Sequence, residues 1–253
     1  MPAAYDTYDY PSYWKNREYE HLSEFFAIKG FLTKISSIRK VIEIGAGYGR
    51  LVPAYKFRSK KIVLTDPSAK LLSKAMRSQK KFGNIEFIQS SLQNLSNRKD
   101  LRKFDLVVMV RVLHHIDNID NAFKIVNKLL SNKGYFILEF PNKSNLKASL
   151  RNIIKGDFTY PINIFPIDLR SKKFIKRGTL PFINYHPDQI LEKLVENDFE
   201  IIQVRSVSNI RSTLLKRLFP IASLIDLEKA LQLPLAKVLF GPSMFVLARK
   251  RDS

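Results

Sequence analysis

In Val41-Ile42-Glu43-Ile44-Gly45-Ala46-Gly47-Tyr48-Gly49-Arg50-Leu51 a short apolar strand runs into three glycines at alternate positions, and a helical pattern follows. Glycine tolerates positive φ and has no Cβ, so the backbone there can turn sharply and lie directly against a ligand. Strand, glycine turn and helix is how a doubly wound α/β sheet opens a nucleotide site. Arg50 stands where a dinucleotide fingerprint places a third small residue for close helix–strand packing. Glu43, just before the loop, would repel a pyrophosphate but suits a cationic amino group. Phosphate is therefore not the expected ligand.

Outward from this stretch, strands and helices alternate. Lys40–Ile44, Lys61–Thr65, Ile85–Gln89, Phe104–Val110 and Tyr135–Phe140 read as five strands. The fourth is a continuous apolar run, as expected for a strand buried on both faces. Ile119, Ala122, Phe123, Val126, Leu129 and Leu130 mark an amphipathic helix. This rhythm predicts a parallel, doubly wound sheet. Phe199–Val207 and Met244–Arg249 supply a sixth and a seventh strand. The 253 residues read as one domain: an aromatic arm and helix over 1–39, a cofactor-binding core over 40–141, and lid or insertion segments over 142–185 and 208–242. The arm holds Tyr5, Tyr8, Tyr10, Tyr13, Trp14 and Arg17. Leu146–Ile154 reads as a helix, and the Ile210–Phe219 stripe reads as a helix packed on the core, with a membrane surface as its second reading.

Composition removes several chemistries. There is no cysteine, hence no disulfide, thiolate nucleophile or cysteine-held metal. The histidines His21, His114, His115 and His186 lack metal-ligand spacing, so no metal site is expected. The first residues do not form a secretory signal, which points to a cytoplasmic location. The net charge of +20 marks nucleic acid, an anionic membrane or an acidic substrate as partner, unless it is a dispersed, solvated basic face.

Asp66 ends the second strand some twenty residues past the first glycine, where a carboxylate can accept both hydroxyls of a ribose. Three further stretches follow in order: Phe87-Ile88-Gln89-Ser90-Ser91-Leu92-Gln93-Asn94-Leu95, Phe104-Asp105-Leu106-Val107-Val108-Met109-Val110-Arg111-Val112-Leu113-His114-His115-Ile116, and Leu130-Ser131-Asn132-Lys133-Gly134-Tyr135-Phe136-Ile137-Leu138-Glu139-Phe140-Pro141-Asn142. Together with the glycine loop and Asp66 they resemble the class I adenosylmethionine-dependent methyltransferases, in the subgroup of quinone-biosynthesis and other small-molecule enzymes. The resemblance runs from about Val41 to Asn142. It implies a Rossmann-like sheet of seven strands with the last antiparallel, and S-adenosylmethionine lying across strands one to four. Carried over by position, Glu43 with Gly45, Gly47 and Gly49 would hold the methionine end. Asp66 would hold the ribose, and Pro67, Ser91 and Leu92 would flank the adenine. The family usually has an acid where Ser91 stands, so a hydroxyl or backbone group must meet the adenine amino group here.

Methyl transfer from a sulfonium is an in-line displacement, in which the protein orients the acceptor and excludes water. His114 and His115, just past the fourth strand, are the candidate bases for a hydroxyl acceptor. Arg111, a cofactor-binding candidate, is expected to pair with Glu43, Asp105 or a ligand carboxylate, with a structural ion pair as an equal alternative. One histidine of the pair is expected to point away from the cleft. Tyr13, Arg17 and His186 are candidates for the acceptor, with His186 also read as a helix cap. The acceptor is expected to be a small or lipid-like molecule methylated at oxygen or carbon, with peripheral contact on an anionic membrane. Rival readings are an RNA methyltransferase, a non-catalytic adenosylmethionine-binding protein, and a nicotinamide oxidoreductase, which Arg50 disfavours. The RNA reading lacks a visible RNA-binding module and an Asn/Asp-Pro-Pro-aromatic stretch after the fourth strand to grip a flipped base.

Overall fold

The computed structural model describes residues 6, 9–80 and 82–252; Tyr5 and Tyr8 of the predicted arm lie outside them. Seven strands form one sheet: β1 (Lys40–Ile44), β2 (Lys61–Asp66), β3 (Ile85–Gln89), β4 (Phe104–Met109), β5 (Leu130–Pro141), β8 (Phe199–Val207) and β9 (Ser243–Lys250). A separate two-stranded ladder pairs β6 (Ile167–Asp168) with β7 (Ile183–Asn184). The order in the large sheet is β3-β2-β1-β4-β5-β9-β8. Strands β1 to β5 run parallel, and β9 lies antiparallel between β5 and β8. This is the seven-stranded, Rossmann-like sheet that the resemblance implied.

The continuous apolar runs are explained by burial on both faces. From β1, β4, β5 and β9, the side chains of Ile42, Val107, Phe136 and Val246 join one core, while Val41, Val108, Ile137 and Leu247 join the other. Helix α6 (Ile119–Leu129) covers the first face with Phe123 and Val126, and α9 (Pro187–Glu196) adds Ile190 and Leu194. Helix α2 (Glu18–Leu32) covers the second with Ile28 and Phe31, beside α3 (Val52–Tyr55) and α4 (Ala69–Gln79). Each begins where local chemistry allows: Asn118 caps α6 by accepting from Asn121 N at 2.9 Å, an interaction worth about 1 kcal/mol. Strand β5 starts five residues before the predicted Tyr135, because Leu130 pairs with Phe104 before Lys133 turns the chain at φ 59°.

The strand order reverses at β1, with β2 and β3 on one side and β4 and β5 on the other. Open α/β sheets leave a crevice at this point, outside the carboxyl ends of the strands. The insertions border that edge. The first carries α7 (Leu146–Ile154), β6, α8 (Lys172–Lys176) and β7. The second holds α10 (Thr213–Leu218), which starts later than the sequence reading had it, and beyond Pro220 a further helix that reading did not include, α11 (Ile221–Leu231). Only α11 packs inward, with Leu224 and Ile225 against Tyr19 of α2. The Glu228 carboxylate accepts from Tyr19 Oη at 2.5 Å and from the Ser208 and Asn209 amides. The stripe on α10, expected in the core, has no buried residue.

Candidate active site

The crevice is a cleft of about 420 Å³ with Gly45 and Gly47 at its floor. All three loop glycines take positive φ, at 70°, 55° and 79°. A Cβ on Gly45 would sit 2.2 Å from Val112 Cγ2, so the close approach itself requires glycine. Gly49 turns instead toward Ala75 and Val52 and serves the packing of α4 on the loop.

Asp66 lines the cleft with its carboxylate pinned at one edge. Oδ2 accepts from Gly47 N and Oδ1 from Ser68 N, both at 2.8 Å, which leaves one further lone pair on each oxygen. Burial pushes its pKa up, and the two amides work the other way. Ser68, not Asp66, caps α4 by accepting from Leu71 N. Pro67, Leu71 and Leu92 line the cleft with apolar surface, with Ser90, Ser91 and Gln93 alongside. The Ser91 hydroxyl already accepts from Asn94 N at 3.3 Å as the cap of α5 (Leu92–Leu95), which leaves its proton for a ligand. Gln93, two residues on, brings both an amide donor and an acceptor to the cleft, a residue that sequence reasoning passed over.

Glu43 requires a correction. It does not line the cleft. Its carboxylate is buried and accepts the Tyr55 hydroxyl of α3. Burial raises its pKa to about 7 against the opposing hydrogen bond from Tyr55. Strand parity explains this: Val41 belongs to the core beneath α2 and α3, and position 43 points the same way.

Arg111 makes the structural ion pair that was its alternative reading. Its partners are neither Glu43 nor Asp105 but two other acids. Its guanidinium holds Glu24 Oε1 at 2.5 and 2.8 Å, and its backbone N donates to Glu139 Oε2 at 2.7 Å. Asp105 instead accepts from the amides of Arg39 and Lys40. Glu24 is fully buried between Arg111 and Arg50, and although burial alone would raise its pKa, the two arginines hold it below the usual carboxylate range. Trp14 lies across both guanidinium groups, 3.5 Å from Arg50 and 4.7 Å from Arg111. Arg50, out of place in a dinucleotide fingerprint, thus anchors the N-terminal arm.

A second chamber of about 470 Å³ adjoins the cleft and shares Tyr10, Arg111, His115 and Leu180 with it. Its other walls include Tyr13, His114, Glu139 and Phe182. Both histidines line this chamber, but only His115 also lines the cleft, as expected of a pair with one ring turned from it; their rings lie 3.9 Å apart. His115 Nδ1 is 2.7 Å from the Pro181 carbonyl. A carbonyl only accepts, so Nδ1 carries the proton and the basic lone pair is on Nε2. Burial lowers the pKa of His115 against that bond, and it lowers that of His114 far more, helped by His115 and Arg111. Tyr10, raised to about 12 by burial, stays a neutral phenol.

Two candidates lie elsewhere. Arg17 is exposed and stacks on Tyr13 at 4.2 Å. His186 caps α9 through Nδ1, and its Nε2 meets the Pro161 carbonyl at 2.9 Å, so both nitrogens have structural partners.

A glycine floor at the sheet's switch point, a carboxylate at its edge and apolar walls beside it are what a class I adenosylmethionine-dependent methyltransferase requires, and the comparisons support that class for this chain. Residues 42–136 match the model of the methyltransferase domain family. The ubiquinone biosynthesis O-methyltransferase of Pelagibacter ubique is 27% identical over 185 residues, covering 72% of this chain and 74% of that one. Among solved structures, an S-adenosylmethionine-dependent methyltransferase from Mesorhizobium loti superposes with a TM-score of 0.56 at 16% identity, covering 90% of this chain and 98% of the other. Magnesium protoporphyrin IX methyltransferase from Synechocystis, with S-adenosylhomocysteine bound, gives 0.55 at 17% identity, covering 91% and 83%. The structural likenesses speak to the fold; the cofactor is S-adenosylmethionine. The lining fits it: paired carboxylate oxygens for a diol, apolar walls for a base and, among the described residues, Arg111 as the lone cation at the cleft wall, itself held by Glu24.

Proposed function

We propose that this methyltransferase acts on a hydroxyl of a compact, largely apolar acceptor held in the second chamber, with His115 as its base. The observation that carries this reading is the placement of His115 at the boundary of both compartments, its Nδ1 fixed on Pro181. Bound adenosylmethionine supplies a methyl group already activated on sulfonium sulfur. Asp66 and the Gly45–Gly47 floor hold and orient it, while Tyr10, Tyr13 and Phe182 offer flat apolar walls suited to a ring-bearing acceptor. His115 Nε2 would take the proton of the acceptor hydroxyl, readying that oxygen for the methyl group the cofactor would supply. The lowered pKa of His115 keeps it neutral at physiological pH, ready to accept that proton. The likeness to an O-methyltransferase of quinone biosynthesis supports oxygen as the acceptor atom.

Calorimetric titration with S-adenosylhomocysteine, followed by product release assays on matched phenols, amines and carbon acids, tests this. Asp66→Ala is expected to weaken cofactor binding by roughly 10- to 100-fold, the worth of charged hydrogen bonds to a buried partner. His115→Gln is expected to lower kcat by about 10²-fold or more while leaving cofactor affinity nearly unchanged. Turnover of amines but not phenols, unaffected by His115→Gln, would overturn the assignment.

A further inference from the structure

The two insertions bring an unusual surface together. Helix α7 and residues 209–215 share an apolar groove of about 880 Å³, lined by Leu146, Leu150, Ile154 and Leu215. Beyond it the apolar side chains are turned to solvent. Ile154 is 84% exposed, Phe158 74%, Ile162 76% and Phe165 72%. Residues 160–165 are tied to the approach of α7, because Lys143 Nζ donates to the Asn163 and Phe165 carbonyls at 2.6 Å and Tyr160 donates to Lys143 O. On α10, Leu214 and Leu218 are 62% and 66% exposed. Singly exposed apolar residues are ordinary, whereas a shared exposed patch of this kind marks an interaction surface.

The charge around this patch has one sign. Residues 142–185 hold nine Lys and Arg against two Asp and Glu, and 208–242 hold five against two, so the insertions carry half of the net +20. The basic charge is therefore concentrated, not dispersed as the linear sequence suggested. Among the described residues, Asp168 is engaged by Arg170 and Asp226 by Lys229, while no ion pair takes Lys147, Arg151, Lys155, Arg211 or Arg217. Three of these, Lys147, Arg151 and Lys155, alternate along α7 with the apolar residues of the groove.

We infer that the face formed by α7, residues 157–165 and α10 docks on the surface of an anionic lipid membrane, with its apolar side chains entering the headgroup boundary and its Lys and Arg meeting lipid phosphates. Apolar residues for depth and unpaired cations around them are the two features such binding needs. Self-association through this face would place like charges against each other. No helix among the described residues is long and apolar enough to cross a bilayer, so the contact is peripheral. The first insertion also supplies Thr179, Leu180 and Phe182 to the second chamber, so docking would bring that chamber to the bilayer. This last step, delivery of a membrane-dissolved acceptor, rests on the function proposed above; the docking itself does not.

The test is flotation of the full chain with vesicles of phosphatidylcholine alone or mixed with phosphatidylglycerol, in the absence of cofactor and acceptor. Recovery with acidic vesicles is expected to exceed that with neutral ones about tenfold and to collapse near 1 M salt, where charges are screened within about 3 Å. Ile154→Ser/Phe158→Ser/Ile162→Ser and, separately, Lys147→Glu/Arg151→Glu/Arg211→Glu are each expected to lower recovery tenfold or more. Unchanged S-adenosylhomocysteine affinity certifies that each variant is folded, so a failed docking result is distinguishable from a failed active-site assignment. Equal binding to neutral vesicles, or variants that float like the parent, would overturn the inference. So would a dimer that the serine variant dissociates, or tight RNA binding lost in the glutamate variant alone, since each names a different occupant.

Discussion

Glu43→Gln separates a cofactor ligand from a buried structural acid. The folded pKa of about 7 stands well above the ordinary 4.5. Between those values the folded carboxyl keeps its proton while the unfolded chain releases it, so the wild type loses stability as pH rises. The gap corresponds to about 3 kcal/mol at full ionisation. Glutamine keeps an acceptor for the Tyr55 hydroxyl but cannot ionise. Urea unfolding of both proteins near pH 5 and above pH 8 should show the variant gaining about 2.5 kcal/mol relative to wild type across that interval. Comparing the two proteins removes the contributions of titrating groups that do not interact with Glu43, whereas Asp66, whose charge acts on it, is part of the same effect. Calorimetry should show S-adenosylhomocysteine affinity within about threefold of wild type, less than 1 kcal/mol. A stability difference that ignores pH, joined to a tenfold loss of affinity, would refute the burial argument and return Glu43 to the methionine end.

Gly45→Ala should cost about 1–2 kcal/mol for its left-handed backbone and displace Val112, weakening cofactor binding; thermal unfolding and titration of the double variant with Val112→Ala should show partial recovery, and simple additivity would deny the contact. His114, whose pKa is depressed in the folded state, contributes stability that is present above pH ~6.5 and lost as pH falls below it. His114→Asn should therefore flatten the acid limb of the stability curve in urea titrations, and an unchanged slope would show that His114 does not drive that limb.

The sheet was legible because strands buried on both faces have little choice but to be apolar. Val107 and Val108 point to opposite cores, so no polar alternation interrupts the run. The glycine loop and Asp66 were legible for a related reason: a positive φ and a strand-end carboxylate are local requirements. Glu43 was misread because its chemistry was judged without its parity on β1. The partner of Arg111 lies 87 positions away in α2, and no local pattern announces such a pair. Amphipathic spacing likewise identified apolar residues on α10 but carries no information about whether protein, lipid or water covers them. Tyr10 and Phe182 lie far apart in the chain, and only the assembled fold brings them to one chamber with His115.

The hydrogen bond between His115 and Pro181 ties a tautomer to a wall. Pro181 belongs to the first insertion, the same segment that lines the second chamber with Leu180 and Phe182. On the function proposed above, the proton position on the base and the shape of the acceptor chamber therefore share one anchor, and a substitution that shifts Pro181 would change both at once.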